Sequence, residues 1–277
     1  MLARLKEFAV TKVIDPVVAA LPANARRHLA NHALRPESLK VMRGLDRESL
    51  ASLFLEGDGI EIGAMNNPLK VPERARVRYV DYRPAEELRA LYPGIPVKEP
   101  DIVADGARLE VIPDGSQDFV IACHLIEHIE DPVGAIKNWL RVLKDGGILF
   151  VAIPDKRLTF DVEREPTPLE HLFDDHEHGP EASRLEHFRE FHRVVLGLTD
   201  EEEVRRLAAE EDHTHFHCWG PDGMLELAAG LLRYGLSFEV LAFASYGNEG
   251  TFVLRKGERD CRAHAQESLS ARRSAVR

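Results

Sequence analysis

The sequence has few cysteines and no long apolar run. Three of its 277 residues are cysteines (Cys123, Cys218 and Cys261), and they are widely spaced, with no Cys-x-x-Cys pair. This pattern predicts reduced thiols in a cytoplasmic protein. Charged residues interrupt the stretch from Met1 to Asp15, which excludes a signal-peptide pattern there, and no apolar segment is long enough to cross a bilayer. A soluble protein is therefore expected.

Positive charge is also scarce. The chain has 36 Lys and Arg against 47 Asp and Glu, which gives a formal net charge of −11. Such a balance argues against a nucleic-acid backbone as the main partner. The length and the 44% apolar content are typical of a globular protein with one large core, or one core with a substantial insertion.

A third absence concerns glycine. An apolar strand at residues 59–62 runs into a turn at Gly63, where the backbone can approach a nucleotide-shaped ligand closely. A dinucleotide site needs two further glycines, but those positions hold Met65 and Pro68. Met65 would crowd a pyrophosphate, which disfavours a dinucleotide oxidoreductase. A cofactor with an adenosine but no phosphates, such as S-adenosylmethionine, escapes that objection.

Strand and helix patterns alternate through the rest of the chain, which predicts a doubly wound, mostly parallel α/β sheet. The first crossover contains Pro68 and Pro72 and is expected to be short or irregular. The predicted strands lie at 59–62, 77–81, 101–105, 118–124 and 148–153, with helices at 84–91, 131–144 and 221–234 and a closing antiparallel hairpin at 238–244 and 251–254.

Three segments fall outside that alternation. Residues 1–56 are expected to form an N-terminal helical cap, with helices near 2–13 and 48–54, and residues 256–277 a frayed polar tail. The main domain, 57–255, carries an insertion after the fifth strand at 155–220. The insertion holds 18 Asp and Glu against 8 Lys and Arg, and eight of the 13 histidines. It is the best candidate for an acceptor-side lid.

An ordered series of motifs in residues 58–153 resembles class I S-adenosylmethionine-dependent methyltransferases, which have a Rossmann-like fold. The series comprises the stretch 61–63, Asp81, the pair 105–106, and the stretches 118–132 and 141–147 followed by an apolar strand and Pro154. Beyond it, residues 154–161 and 213–219 resemble bacterial methyltransferases encoded among surface-polysaccharide and glycosyltransferase genes.

The resemblance implies roles for individual residues. Asp81 would accept hydrogen bonds from the ribose diol, and Tyr82 would lie against the adenine. Asp105 would accept the adenine amino group, with Gly106 allowing the turn. The methionine end of the cofactor would be lined by Glu61, Gly63 and Ala64, and the methyl position would lie near His124.

The histidines offer general bases for the acceptor, namely His124, His128, His171 and His176. If a helix starts directly after the fourth strand, His124 and His128 lie one turn apart on one face. A packing role is the plain alternative for His128.

Metal binding by the insertion is left open, and so is a solvated acidic lid with structural histidines. A divalent-metal group could be formed by Asp174, Asp175 and His176 with His171 and His178. His213, His215 and His217 would share one side of an extended segment.

Together these features predict methyl transfer from S-adenosylmethionine to a small polar acceptor, most simply the hydroxyl of a sugar or glycan. The alternatives are N- or carboxyl-methylation of another small metabolite, and a non-catalytic methyltransferase-like assembly partner in glycan synthesis. A homo-oligomer is compatible with the sequence.

Overall fold

The computed structural model describes residues 46–209 and 214–257. The helix predicted near residues 2–13, His213 and the tail from residue 258 lie outside the described residues. The described part contains one seven-stranded sheet with the order β3-β2-β1-β4-β5-β7-β6. Its strands are β1 (Gly57–Ile62), β2 (Ala75–Asp81), β3 (Ile102–Val103), β4 (Gln117–Cys123), β5 (Leu143–Pro154), β6 (Phe238–Tyr246) and β7 (Glu249–Lys256).

The first five strands are parallel, and β7 runs antiparallel to both β5 and β6. This is a doubly wound, mostly parallel α/β sheet that closes in an antiparallel hairpin, so the predicted fold class is confirmed. The fifth strand is longer than predicted. It begins at Leu143, which pairs with Gln117 ahead of a register shift, and Gly146 within that irregular part has a positive φ of 78°.

The helices follow the predicted alternation. Four flank the sheet: α1 (Arg47–Phe54), α2 (Ala85–Leu91), α3 (Pro132–Val142) and α7 (Pro221–Tyr234). The insertion between β5 and α7 supplies α4 (Leu169–His178), α5 (Arg184–Phe191) and α6 (Glu201–Ala209). Asp131 caps α3 by accepting a hydrogen bond from the Gly134 N–H, and Pro132 occupies the first turn, where its missing N–H costs nothing. The helices of the described residues are all too short or too polar to span a bilayer.

Strand β4 is apolar on both faces, because helices cover both sides of the sheet. Val120 and Ala122 belong to the larger apolar cluster, which includes α3 and α7. Phe119 and Ile121 belong to a second cluster that α1 covers with Leu50. All four β4 side chains are fully buried, and burial of each large one contributes about 1.5–3 kcal/mol. This core fixes the carboxyl ends of the strands.

Candidate functional site

The carboxyl ends of the parallel strands meet at one edge of the sheet. The strand order reverses between β1 and β4, and open α/β sheets bind ligands in the crevice at such a switch point. Gly63, directly after β1, has a positive φ of 65°, and a Cβ placed there would lie 3.4 Å from Leu125 Cδ1 in the loop after β4. The two loops therefore border the same crevice.

Glu61 holds the irregular first crossover in place. Its Oε1 accepts a hydrogen bond from the Leu69 N–H at 2.9 Å, which returns the chain to the sheet without a helix. The prediction of a short or irregular crossover is therefore correct. Glu61 is buried, and its Oε2 has no hydrogen-bond partner among the described residues. Burial raises the pKa of Glu61 to about 7.

We expect Glu61→Gln to stabilise the ligand-free protein by about 3 kcal/mol at pH 8 and to change little at pH 4.5. The folded pKa lies above the usual 4.5, so the folded state binds the extra proton. The contribution of Glu61 to the free energy of unfolding is therefore fully present below about pH 4.5 and is lost as the pH rises through about 7. Glutamine keeps the bond from Leu69 without the charge. Urea unfolding of the wild type and of Glu61→Gln at pH 8 and at pH 4.5 measures the difference in their free energies of unfolding. A difference of equal size at the two pH values would show that ionisation of Glu61 is not its cause.

Asp81 ends β2 at the same edge. It is buried, and its Oδ1 accepts a hydrogen bond from the Arg83 N–H at 3.1 Å, which fixes the carboxylate. Tyr82 is 54% exposed. The Arg83 guanidinium lies 4.7 Å from the centroid of the Tyr82 ring and covers part of that ring.

Asp105 and Gly106 form the turn after β3. Asp105 Oδ1 accepts from the N–H groups of Ala107 and Arg108, so this exposed carboxylate also caps the turn. A Cβ on Gly106 would lie 2.4 Å from Ile62 Cγ2. Glycine is thus required here for close packing against the end of β1, a structural reason separate from any ligand.

His124 follows β4 and pairs with a residue from the far end of the chain. Its Nε2 lies 2.7 Å from Glu249 Oε2, and Arg47 lies 3.3 Å from the same oxygen. His124 has a positive φ of 51°, an uncommon conformation for a residue with a side chain and one that clusters at functional sites.

The predicted sharing of one helical face by His124 and His128 is wrong. The left-handed turn at His124 ends the strand, a short 3₁₀ turn follows over Ile126–His128, and α3 begins only at Pro132. His128 faces another segment, since its Nδ1 donates to the carbonyl of Thr214 at 2.8 Å.

His128 lies in a cluster of buried polar residues. The His215 ring lies edge-on to it with centroids 4.5 Å apart, and His215 Nδ1 is 2.6 Å from Asp161. Burial alone would raise the pKa of Asp161, but the bonds from His215 and Arg164 lower it. Glu127 beside them is fully buried, and its carboxyl oxygens have no partner in another described residue, so burial raises its pKa.

A second histidine group lies within the insertion. His171 Nε2 is 2.9 Å from His187 Nε2, and Asp175 Oδ2 is 3.2 Å and 3.7 Å from these two nitrogens. A ring nitrogen of His217 lies within 4.8 Å of ring nitrogens of His171 and His187. Burial lowers the pKa of His187 to about 4 and that of His217 well below its usual value, so both rings are neutral.

The metal group predicted around Asp174, Asp175 and His176 is wrong in its membership. Helical geometry sends consecutive side chains in different directions. Accordingly, His176 bonds to Asp131 at 2.9 Å, while His178 pairs with Asp174 on the exposed surface. His171 and Asp175, one turn apart, remain together.

His215 and His217 do not share a side of an extended segment. The chain bends at Phe216, so His215 joins Asp161 while His217 joins the His171 group. Sequence reasoning missed Glu249 and His187. The position of Glu249 could have been predicted, because the last strand of a closing antiparallel hairpin starts at the carboxyl edge of the sheet. Glu249 indeed pairs with Pro154 at the end of β5. His187 gave no comparable signal.

The crevice suits a cofactor that carries both an amine and a ribose. The buried, unpartnered Oε2 of Glu61 can accept from an ammonium group, and the Asp81 carboxylate at a strand end can accept from a diol. S-adenosylmethionine carries both groups, so the residues present fit it.

Comparison with known proteins bears on this segment. Residues 57–151 match the family described as methyltransferase domain. Over 96 residues the chain is 35% identical to a protein of Mycolicibacterium smegmatis described as a probable S-adenosylmethionine-dependent methyltransferase. That alignment covers 34% of this chain and 35% of the relative, so the match spans about a third of each protein.

Two solved structures show weaker likeness. A S-adenosylmethionine-dependent methyltransferase of Thermotoga maritima is 18% identical, with a TM-score of 0.42 over 84% of this chain and 99% of that one. A Rhodobacter sphaeroides protein described as a Zn-dependent alcohol dehydrogenase is 16% identical, with a TM-score of 0.47 over 85% and 100%. Neither bears on function at these scores. Residues 57–151 are thus similar to a methyltransferase domain, and they lie within the sheet of order β3-β2-β1-β4-β5-β7-β6.

Proposed function

We propose that the protein transfers a methyl group from S-adenosylmethionine to the hydroxyl of a small polar acceptor, with a sugar or glycan as the acceptor class. The observation that carries the proposal is the His124–Glu249 pair at the end of β4, 2.7 Å apart, beside the cofactor crevice. A hydroxyl acceptor must lose its proton, and a paired imidazole is suited to take it.

The chain's own residues would hold the cofactor at three points. Asp81 would bind the ribose hydroxyls, Glu61 the amino group, and the Gly63 turn would admit the methionine end close to the backbone. The bound cofactor supplies a methyl group already activated by a sulfonium. The protein therefore needs to align the acceptor and exclude water.

His124 is the proposed base, and Glu249 defines its working tautomer. A carboxylate only accepts hydrogen bonds, so His124 Nε2–H donates to Glu249 and leaves the lone pair on Nδ1. Nδ1 takes the hydroxyl proton, and the nearby carboxylate stabilises the imidazolium that forms. Arg47 holds Glu249 in position from α1.

The surrounding charge favours a neutral acceptor over a carboxylate. Glu249 and the buried carboxyl groups of Glu61 and Glu127 lie around the loops that border the crevice. An anionic acceptor would be repelled by the Glu249 carboxylate beside His124, since Arg47 already forms an ion pair with Glu249. N-methylation of an amine remains the second candidate, because the same acids attract a protonated amine.

The insertion would form the acceptor side. It packs against the loop after β4 through the His217 N–H, which donates to the Glu127 carbonyl at 3.2 Å, and through the Arg184–Glu130 ion pair. The described part of the insertion, residues 155–209 and 214–220, is thus attached to the loop after β4, which borders the crevice.

A panel assay with methyl-labelled S-adenosylmethionine tests the acceptor class. Free sugars, nucleotide sugars, small amines and carboxylates are offered separately, and labelled products are identified by mass spectrometry. We expect label on a sugar oxygen. Label on nitrogen or on a carboxylate would overturn the hydroxyl assignment, and tight cofactor binding with no transfer to any compound would favour a non-catalytic assembly partner.

A further inference from the structure

We propose that His171, His187, His217 and Asp175 form a binding site for one divalent cation of the zinc type, which fastens the insertion together. The proposal does not rest on methyl transfer. Imidazole nitrogens with one carboxylate oxygen are a common ligand set for Zn²⁺, and four protein ligands are typical of a structural site.

The distances suit one small ion. Tetrahedral ligands at the usual zinc distances lie roughly 3.3 Å from one another. His171 Nε2, His187 Nε2 and Asp175 Oδ2 are separated by 2.9, 3.2 and 3.7 Å. A ring nitrogen of His217 lies within 4.8 Å of ring nitrogens of His171 and His187, and a shift of the His217 side chain toward Asp175 would complete the set.

His217 provides an independent indication of a ligand. The ring is fully buried, and its Nδ1 has no hydrogen-bond partner among the described residues. Its Nε2 lies 3.3 Å from the Glu130 carbonyl, which can only accept, so Nε2 carries the proton and Nδ1 the lone pair. Metal-bound histidines commonly donate their second ring N–H to a carbonyl in this way.

A neighbouring side chain also orients one of the proposed ligands. Ser183 Oγ donates to Asp175 Oδ2 at 2.9 Å, which orients the carboxylate. The ligands come from α4, from α5 and from the segment before α7, so one ion would join three separated parts of the insertion. Through the backbone of His217 it would also fix the loop after β4.

Metal binding to the tag-free full-length protein tests the proposal. After chelator treatment and dialysis, isothermal titration with Zn²⁺ and elemental analysis should give one tightly bound ion per chain. His187→Ala and His217→Ala should each weaken binding at least about 50-fold. His178→Ala is the matched control, because His178 lies on α4 but pairs with Asp174 at the surface, and it should bind Zn²⁺ like the wild type.

A second variant covers the case in which alanine prevents folding. In His187→Cys a thiolate replaces an imidazole, and thiolates bind zinc and cobalt well. Co²⁺ should then give a near-ultraviolet sulfur-to-cobalt absorption band that the wild type lacks. Stoichiometric Zn²⁺ uptake with this band supports the site. No saturable uptake by the wild type, uptake unchanged in folded His187→Ala, or a folded His187→Cys without the band would overturn it.

Discussion

Replacing Asp81 by alanine is expected to weaken binding of S-adenosylhomocysteine by about 2–4 kcal/mol, or roughly 30- to 1000-fold. The carboxylate is buried at the end of β2 and fixed by the Arg83 N–H, so it is oriented before the ligand arrives. Its loss removes a pair of charge-assisted hydrogen bonds to the ribose. Isothermal titration measures the change, and circular dichroism checks the fold.

Asp58→Ala is the matched control for Asp81. Asp58 lies on β1, at the amino end of the strand and so at the opposite edge of the sheet, where it forms an exposed ion pair with Arg76. The Asp58→Ala substitution should leave the affinity for S-adenosylhomocysteine unchanged. Asp81→Asn should lose less affinity than alanine, since an amide keeps one acceptor. Equal affinity in wild type and folded Asp81→Ala would show that the ribose is held elsewhere.

His124→Gln is expected to lower turnover by about 10²-fold or more while affinity for S-adenosylhomocysteine stays within a few-fold. The substitution removes the proposed base without removing a residue proposed to hold the ribose or the amino group. Turnover is measured with the acceptor found in the panel assay. Glu249→Gln should cause a smaller loss, because the imidazole remains but loses the carboxylate that orients it.

Two further variants show whether the loss is specific to His124. His128→Gln tests His128 as the alternative base. His178→Gln replaces an exposed histidine and should keep full activity. Full activity in His124→Gln together with a hundred-fold loss in His128→Gln would move the role to His128. Full activity in both would mean that the acceptor needs no base here, and an amine would then be the better assignment.

The sheet could be predicted from the sequence because its signals are local. The apolar run of β4 indicates a strand whose two faces are both buried. Pro68 and Pro72 exclude a helix in the first crossover. Asp131 followed by Pro132 marks the start of α3. Each of these features depends on neighbouring residues alone, and the structure reproduces them.

The side-chain partners in the site could not be predicted, because they depend on tertiary packing. His124 meets Glu249, which is 125 residues away, and His215 meets Asp161, which is 54 residues away. The eight histidines of the insertion look alike in sequence. A bend at Phe216 and the helical directions of α4 distribute the described ones among separate groups.

The crevice between β1 and β4 is expected to bind S-adenosylmethionine rather than a dinucleotide. Isothermal titration of the full-length protein with S-adenosylhomocysteine and, separately, with NAD tests it most directly. We expect saturable one-to-one binding of S-adenosylhomocysteine, weakened roughly 30- to 1000-fold in Asp81→Ala, and no binding of NAD. Tight NAD binding with no response to S-adenosylhomocysteine would contradict it.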